Sequence, residues 1–218
     1  MSSKSTRRVE VQGKVEIIDL THKFTKSMPV CSFDEPASIK KIRDLHSNKY
    51  NDWLLSSGMH VGTHIDGPGH LTDSDVSLSD LPIDKFVGKG YLIDARNKEI
   101  DVSLLKELPI ESDLIVLILT GSDKKFGTEE YFENHPIISV DVARELVKHK
   151  IKIVGIDFFS PDEVPFEVHK IFFEHNVLII ENLTKLEYLL DVSKFKVIAL
   201  PLKTETDSAL ARVIAIIE

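Results

Sequence analysis

The apolar residues of this 218-residue chain come in short runs, and the longest unbroken one, Leu114 to Leu119, has only six residues. Runs of this length are too short to cross a bilayer and are typical of buried strands. Seven such runs predict strands over Val15–Leu20, Tyr91–Ala95, Leu114–Thr120, Ile151–Asp157, Val177–Glu181, Phe195–Leu200 and Arg212–Ile217. The chain is therefore expected to fold around a β-sheet.

Helical patterns lie between several of these strands. Ser139 is a suitable N-cap for a helix over Val140–His149, which ends in basic residues as the helix dipole prefers. Pro165-Phe166 can open a second helix that runs to about His175, and Leu183–Leu190 predicts a third. Strands that alternate with helices indicate an α/β layer with some parallel pairing in the C-terminal half.

The N-terminal half contains strands and loops, which favours a mixed sheet or barrel-like core over a regular doubly wound fold. The length suits one well-buried domain. No internal repeat, low-complexity tract or Gly/Ser-rich linker divides the sequence. We expect a flexible N-terminus over residues 1–12 and a single compact α/β domain over residues 13–218.

Composition argues against several classes of function. The formal net charge of -8 and the pI near 5.6 argue against a nucleic-acid-binding surface. The polar N-terminus is not followed by an apolar segment, so we expect neither a secretory signal nor a membrane span. The single cysteine, Cys31, excludes an intrachain disulfide and a zinc site with several cysteines. The cytoplasm is the expected location.

One segment combines metal-binding side chains with residues that permit tight turns. It reads His60-Val-Gly-Thr-His64-Ile-Asp66-Gly-Pro-Gly-His70. Imidazole and carboxylate groups bind divalent ions such as zinc, and three protein ligands leave a position open for water. Glycine and proline shape the backbone so that separated side chains can converge. The alternative, a surface loop that merely contains histidines, fits a single histidine better than this cluster.

Polar residues at the ends of two predicted strands are further candidates. Asp157 and Glu181 lie where ligands of open α/β sheets collect, although Asp157 is equally suited to cap a helix or to form a loop salt bridge. On the predicted helix, His169 shares a face with Phe172 and Phe173. It precedes Glu181 by about one helix and one strand, so both can reach one pocket. The alternative for His169 is a core histidine.

These features together resemble the cyclase family of metal-dependent hydrolases, which includes bacterial-type kynurenine formamidases and isatin hydrolases. The segment from His60 to His70 is similar to the family signature. The similarity extends roughly from Ile17 to Ile216. Its other parts are Ile18-Asp19-Leu20-Thr21-His22, Met28-Pro29-Val30, Gly155-Ile156-Asp157, His169, Glu181-Asn182-Leu183 and Leu200-Pro201-Leu202-Lys203.

The resemblance implies a metal centre with one or two divalent ions. His60, His64 and Asp66 would hold the first ion. Asp66, His169 and Glu181 would hold a second ion in the members that carry two, with the aspartate bridging. The ligand types favour zinc mildly and also accept manganese.

The resemblance also implies a catalytic role, a fold and an assembly. His70 would be the general acid or base, acting on a small-molecule substrate. The implied fold is a compact α/β domain of the swivelling β/β/α type with a mixed sheet. The implied assembly is a homodimer or a homotetramer.

One departure from the resemblance concerns the substrate. The kynurenine formamidases carry a tryptophan after the Pro-Val of the opening loop, where an aromatic substrate can stack. Cys31 occupies that position here and is followed by Ser32-Phe33-Asp34, in which Phe33 is a candidate replacement. The one tryptophan, Trp53, is interpreted as a strand residue in the core. N-formylkynurenine is therefore one candidate substrate among several.

We interpret the chain as a metal-dependent hydrolase that cleaves the C–N bond of an amide, either a formamide or a cyclic amide. A divalent ion would activate water, and His70 would move the proton from that water to the leaving nitrogen. The metal would also stabilise the oxyanion, because the sequence has no G-x-S-x-G nucleophile motif.

Three alternatives remain open. A lactonase or metallo-β-lactamase-like hydrolase favours His-x-His-x-Asp, whereas Gly62 stands where the middle histidine of that motif would be. A biosynthetic cyclase of the same family is not distinguished by these residues. A catalytically silent metal-binding protein needs a closed ligand shell, whereas the additional His70 indicates an open one.

Overall fold

Eleven β-strands and four α-helices make up the regular structure of residues 9–11, 15–32, 34–109 and 111–217, which the computed structural model describes. The strands are β1 (Val9–Val11), β2 (Val15–Asp19), β3 (Ser38–Arg43), β4 (Asp52–Ser56), β5 (His64–Asp66), β6 (Val87–Asp94), β7 (Ile115–Leu119), β8 (Ile153–Ile156), β9 (Leu178–Glu181), β10 (Phe195–Pro201) and β11 (Ser208–Ile217). The helices are α1 (Leu45–Asn48), α2 (Glu129–Glu133), α3 (Val140–Lys148) and α4 (Glu167–Glu174).

Nine of these strands form one mixed sheet that closes on itself. The order in the described chain is β1-β2-β11-β10-β6-β7-β8-β9-β5, and β5 also pairs with β11. Strands β6 to β9 run parallel, whereas β10 and β5 join them in antiparallel pairs. A barrel-like ring of seven strands results. The prediction of a single α/β domain with a mixed, barrel-like sheet is confirmed.

Strand β7 lies between two hydrophobic layers. Leu117 and Leu119 belong to the cluster that fills the ring, whereas Val116 and Ile118 pack with residues of α3 and α4. All five residues of β7 are buried. A strand covered on both faces needs apolar residues at every position, which explains the unbroken run in the sequence. Each fully buried side chain of this size contributes roughly 1.5–3 kcal/mol.

Two of the three predicted helices are present. Helix α3 begins after Ser139, whose hydroxyl accepts a hydrogen bond from Val142 N at 3.3 Å, as the capping prediction requires. Helix α4 begins at Glu167 rather than at Pro165-Phe166, because Phe166 has a left-handed backbone with φ of 60°. The predicted start of this helix was therefore wrong by two residues.

The predicted helix over Leu183–Leu190 is wrong. Only a 3-10 turn over Leu186–Leu189 forms there. The backbone amides of Leu183 and Thr184 donate instead to Ile156 O and Leu20 O, at 2.9 and 3.0 Å. These bonds to β8 and to the residue after β2 hold the start of the segment in an extended conformation, so tertiary pairing overrides the local helical pattern.

Strands β3 and β4 form a separate two-stranded hairpin outside the ring. Every residue of β4 is exposed, and Trp53 is 58% exposed. The interpretation of Trp53 as a core residue is therefore wrong, although it does lie in a strand. The sequence pattern also did not indicate β3, β4 or the three-residue β5 as strands.

Two further expectations concern the N-terminal segment and membrane-spanning helices. The predicted flexible segment 1–12 lies outside the described residues except for Val9–Val11, which pairs with β2 as strand β1. Within the described part of the chain the longest helix, α3, has nine residues, and none has the length and apolarity needed to cross a membrane.

Asp157 follows β8 and anchors the loop after β7. Its fully buried carboxylate accepts hydrogen bonds from Thr120 N at 2.9 Å, Thr120 Oγ1 at 2.6 Å and Gly121 N at 2.7 Å. Burial raises the pKa of Asp157 to about 6, so at neutral pH it is mostly ionised and only accepts hydrogen bonds. Neither structural alternative from the sequence, a helix cap or a loop salt bridge, describes these contacts, which anchor the turn at residues 120–121 by hydrogen bonds.

We expect Asp157→Asn to lower the free energy of unfolding at neutral pH by about 1–3 kcal/mol. The amide nitrogen would face a backbone N–H of the 120–121 turn and leave that buried donor unpaired. Denaturant unfolding measures the change, with Asp75→Asn at an exposed loop position as the matched control. Equal stability of the two variants would contradict the structural role of Asp157.

Candidate metal centre and catalytic pocket

The closing strand β5 carries two of the predicted ligands to the edge of a cavity. In the antiparallel pair with β9, His64 stands opposite Glu181. In the pair with β11, Asp66 stands opposite Ser208. Ile65, between the two ligands, points into the cluster that fills the ring. Alternation along the strand therefore turns both polar side chains to the other face.

The first predicted group converges in space. His60 Nδ1 lies 3.0 Å from Asp66 Oδ1, and His64 Nε2 lies 3.5 Å from the same oxygen. One ligand atom from each of these three residues lies within 4.8 Å of the other two. This is an arrangement that can hold a divalent ion.

The second predicted group shares Asp66 with the first. Asp66, His169 and Glu181 are all buried, and their ligand atoms meet the same 4.8 Å limit. His169 Nε2 lies 3.5 Å from Glu181 Oε1, and the other Glu181 oxygen lies 3.3 Å from His64 Nε2. The structure thus brings together all five residues predicted as ligands, and Asp66 is common to the two groups.

Two buried atoms at the centre of the group lack hydrogen-bond partners. They are His64 Nε2 and Asp66 Oδ1, and they face each other. Burial opposes charge on both residues, but their mutual attraction outweighs it. The pKa of His64 is therefore held well above its ordinary value and that of the Asp66 carboxyl well below. Candidate ligand atoms that converge on one buried point, with a carboxylate among them, fit a bound cation that would take the place of the His64 proton.

Each candidate histidine ligand is anchored through its other ring nitrogen. The Nδ1 of His64 donates to Gly62 O at 2.7 Å, and His60 Nε2 is hydrogen-bonded to Ser208 Oγ at 3.0 Å. His169 Nδ1 is hydrogen-bonded to Asp162. Such outer partners orient the rings of metal-binding histidines and select the tautomer that leaves the inner nitrogen free.

Asp162 and Ser208 were missed by the sequence reasoning. Asp162 also accepts from Val168 N at 2.6 Å, so it caps the start of α4, and an aspartate just before a predicted helix is a recognisable signal. Ser208 lies 148 residues from His60 along the chain, and no local pattern marks it.

The backbone conformation at residue 62 explains why the signature has a glycine there. Its φ is +73°, a left-handed conformation that side chains rarely adopt, and a Cβ there would lie 2.5 Å from Met28 Cε. This backbone directs the Gly62 carbonyl towards the ring of His64. The glycine is therefore part of the support of a candidate ligand.

His70 lies beside the ligand groups and belongs to neither. It ends a 3-10 turn over Pro68–His70, and its ring centroid is 4.2 Å from that of His60 and 6.1 Å from that of His169. Its side chain is 30% exposed, and burial lowers its pKa, so the ring is neutral at pH 7. A neutral imidazole at the edge of the cavity can accept a proton.

A cavity of about 470 Å³ opens above these groups. Its walls are largely apolar or aromatic and are formed by Leu71, Phe132, His135, Phe159, Val164 and Phe166, with Cys31 and Asp34 at one side. Phe132 and Phe159 meet edge to face at 5.2 Å. The candidate stacking residue Phe33 lies outside the described residues. Within the described lining there is no lysine or arginine.

Comparison with known proteins places the chain in a family. A family model described as "Putative cyclase" matches residues 18–163. A kynurenine formamidase of Bacillus cereus is 29% identical over 205 residues, which cover 91% of this chain and 96% of that protein. An uncharacterized protein of Methanocaldococcus jannaschii is 34% identical over 208 residues, or 93% of this chain and 100% of that protein.

Solved structures share the architecture. A protein described as a potential metal-dependent hydrolase with cyclase activity superimposes with a TM-score of 0.77 at 26% identity, over 94% of this chain and 98% of its own. Isatin hydrolase A from Ralstonia solanacearum superimposes with a TM-score of 0.84 over 94% and 92%, and at 20% identity this likeness shows the fold alone. The family model matches residues 18–163, which is more than half of this chain. The chain therefore belongs to the cyclase family.

Proposed function

We propose that this protein is a metal-dependent hydrolase that cleaves the C–N bond of an aryl formamide or of a cyclic aryl amide. The observation that carries the proposal is the convergence of His60, His64 and Asp66 at the floor of an aromatic-walled cavity, with His70 beside them. The family membership supports it, since one relative is a kynurenine formamidase and one structural neighbour an isatin hydrolase.

His60, His64 and Asp66 would hold the first ion, and Asp66, His169 and Glu181 a second. A bound divalent ion supplies Lewis-acid activation of water and of the substrate carbonyl. Imidazole and carboxylate ligands suit zinc, which we propose over manganese. The protein contributes buried carboxylates that favour a cation and anchored rings that point their free nitrogens to one place.

We assign the proton transfer to His70. Its side chain is 30% exposed and lines the cavity beside the ligand groups, so its ring can exchange a proton with the reactants. The neutral ring takes the proton of the attacking water and returns it to the leaving nitrogen. Leaving nitrogens of amides need this protonation, because the free amide anion is a poor leaving group.

The walls of the cavity suit an aromatic substrate. Phe132, Phe159 and His135 form a chain of edge-to-face contacts at 5.2 and 5.5 Å, which presents ring surfaces to the cavity. Aromatic rings stack on or edge against such surfaces. N-formylkynurenine and isatin-like cyclic amides both carry a suitable ring. Because Cys31 stands where the kynurenine formamidases carry a tryptophan, the choice between these substrates is left to experiment.

We further propose a homo-oligomer in which the β3–β4 hairpin contacts a second copy of the chain. Trp53 and Leu55 lie on one face of β4 and Leu54 on the other, and all three are about half exposed. A hairpin with apolar side chains on both faces has little stability alone. Residues 38–56 carry four basic and two acidic side chains, so with a total charge of -8 the rest of the chain carries -10. That difference favours docking on another copy.

The proposed reaction predicts metal-dependent hydrolysis of an aryl formamide or a cyclic aryl amide. A panel of formamides, cyclic imides, isatin-like lactams and lactones, assayed after treatment with chelator and with added zinc or manganese, measures it. Aliphatic lactones serve as the comparison class. Metal binding without turnover of any amide or lactam would instead indicate a silent metal-binding protein.

The ligand assignment predicts two grades of metal loss. His64→Ala and Asp66→Ala should abolish metal binding and activity together, because each removes a buried ligand and Asp66 is common to both groups. His169→Ala and Glu181→Ala should lower the metal-to-protein ratio while the fold persists. Elemental analysis with circular dichroism measures both. Full metal occupancy in Asp66→Ala would contradict the site.

The role of His70 predicts a loss of rate without a loss of metal. His70→Ala should keep the metal content and reduce turnover by about 10²–10⁴-fold, the usual contribution of a positioned acid or base. His70→Gln should behave alike, because an amide cannot shuttle protons. His149→Gln, directly after the remote helix α3, is the control. Metal loss on mutation of His70 would make it a ligand instead.

The hairpin proposal predicts a change of assembly. Trp53→Ser combined with Leu55→Ser should shift the protein towards monomer in light scattering coupled to size-exclusion chromatography. Ile83→Ser, an apolar residue 70% exposed outside the hairpin, should leave the assembly unchanged. A monomeric wild-type protein would contradict the oligomer, and an unaffected double variant would exclude this surface.

A further inference from the structure

We propose that Asn182 and Tyr131 are positioning residues for the candidate metal centre. They hold the Gly62 carbonyl in place and, through it, the ring of His64. This inference deepens the proposed function and rests on its metal centre. It concerns residues that donate no ligand atom to either candidate group.

A buried chain of hydrogen bonds connects helix α2 with the candidate ligand. The Tyr131 hydroxyl lies 2.7 Å from Asn182 Oδ1, and Asn182 Nδ2 lies 3.1 Å from Gly62 O. The same carbonyl oxygen lies 2.7 Å from His64 Nδ1. Tyr131, Asn182 and His64 are at most 3% exposed, so water does not compete for these bonds.

The chemistry of the groups determines the direction of every bond. A carbonyl oxygen only accepts, so both Asn182 Nδ2 and His64 Nδ1 must donate to Gly62. The amide of Asn182 then presents its oxygen to Tyr131, whose hydroxyl must donate. Both lone pairs of the Gly62 carbonyl are used. The network is complete and internally consistent, which leaves a single arrangement of its protons.

The consequence falls on the other nitrogen of His64. When the ring is neutral, as binding of a cation requires, its one proton lies on Nδ1, which donates to Gly62, and Nε2 directs its lone pair at Asp66 and Glu181. This is the tautomer that a metal ligand requires. Without the amide of Asn182, one of the two contacts that hold the left-handed Gly62 carbonyl would be lost, and the ring would be less well oriented.

The backbone of Asn182 ties the same two segments together a second time. Its carbonyl accepts from Thr63 Oγ1 at 2.6 Å. Asn182 also directly follows Glu181, so one residue couples the strand end that carries Glu181 to the turn that carries His64. Its φ of 56° is left-handed, a conformation that asparagine tolerates better than most residues.

The test is the affinity for zinc of four proteins: wild type, Asn182→Gly, Tyr131→Phe and the double variant. Glycine suits a left-handed φ, so Asn182→Gly removes the side chain without backbone strain. Competition with a chelator should show zinc dissociation constants about 10–100-fold higher in Asn182→Gly, the usual effect of losing an outer partner. Tyr131→Phe should show a smaller increase.

The double variant tests the order of the chain. If Tyr131 acts through Asn182, the double variant binds zinc no more weakly than Asn182→Gly, because the second change removes a hydroxyl that no longer has its partner. Additive losses would contradict this order and assign Tyr131 an independent effect.

Two matched controls separate positioning from general stability. Asn176→Gly replaces an asparagine of the same φ, 56°, after helix α4. Tyr91→Phe removes a hydroxyl that donates to Glu107 O at 3.0 Å, away from the site. Neither should change zinc affinity. Melting temperatures of the metal-free proteins report any loss of stability separately.

Each outcome has one meaning. Weaker zinc binding in Asn182→Gly and Tyr131→Phe, with unchanged binding in the controls, supports the positioning role. Wild-type zinc affinity in both site variants, with or without a lower melting temperature, overturns it and leaves the proposed metal centre intact. If Asn182→Gly does not fold, Tyr131→Phe against Tyr91→Phe decides alone. Failure of the wild-type protein to bind zinc or manganese would overturn the metal centre itself.

Discussion

The pairing of the three-residue strand β5 with both β9 and β11 is the constraint on which the site depends. It closes the seven-strand ring and places Ile65 in the interior, where burial of such a side chain contributes roughly 1.5–3 kcal/mol. The two neighbours of Ile65 then face the opposite side, next to Glu181. A shift of register by one residue would bury His64 and Asp66 in the apolar core and expel Ile65, so packing alone specifies where the candidate ligands lie.

That packing also buries ionisable side chains whose charges must be compensated. Two carboxylates and two imidazoles are almost fully buried around one point, and an uncompensated buried charge costs several kcal/mol. The outer nitrogens of the candidate histidine ligands are already bonded to Gly62, Ser208 and Asp162. The inner atoms therefore have only one another or a cation, which is why His64 Nε2 and Asp66 Oδ1 stand without hydrogen-bond partners.

The floor and the walls of the cavity have different origins. The floor is built on β5, β9 and α4, elements held by the two hydrophobic layers. The walls come mainly from outside the sheet, from Phe132 on the short helix α2 and from the loop residues Phe159 and Val164, where changes of sequence cost little stability. Membership of the cyclase family therefore carries more information about the chemistry at the floor than about the substrate held by the walls.

The sequence by itself determined what depends on local spacing. Short apolar runs predicted six of the seven ring strands, all but β5, and also β2. His60, His64, Asp66 and His70 were recognisable because they share one eleven-residue segment. Only the tertiary structure decided what depends on long-range contact. The serine that anchors His60 lies 148 residues away, the donors of residues 183–184 are taken by strands, and Trp53 lies on a hairpin outside the core. The periodicity of apolar residues predicts local secondary structure and its buried face. These other features depend on groups that are distant in sequence and meet only after the barrel has closed.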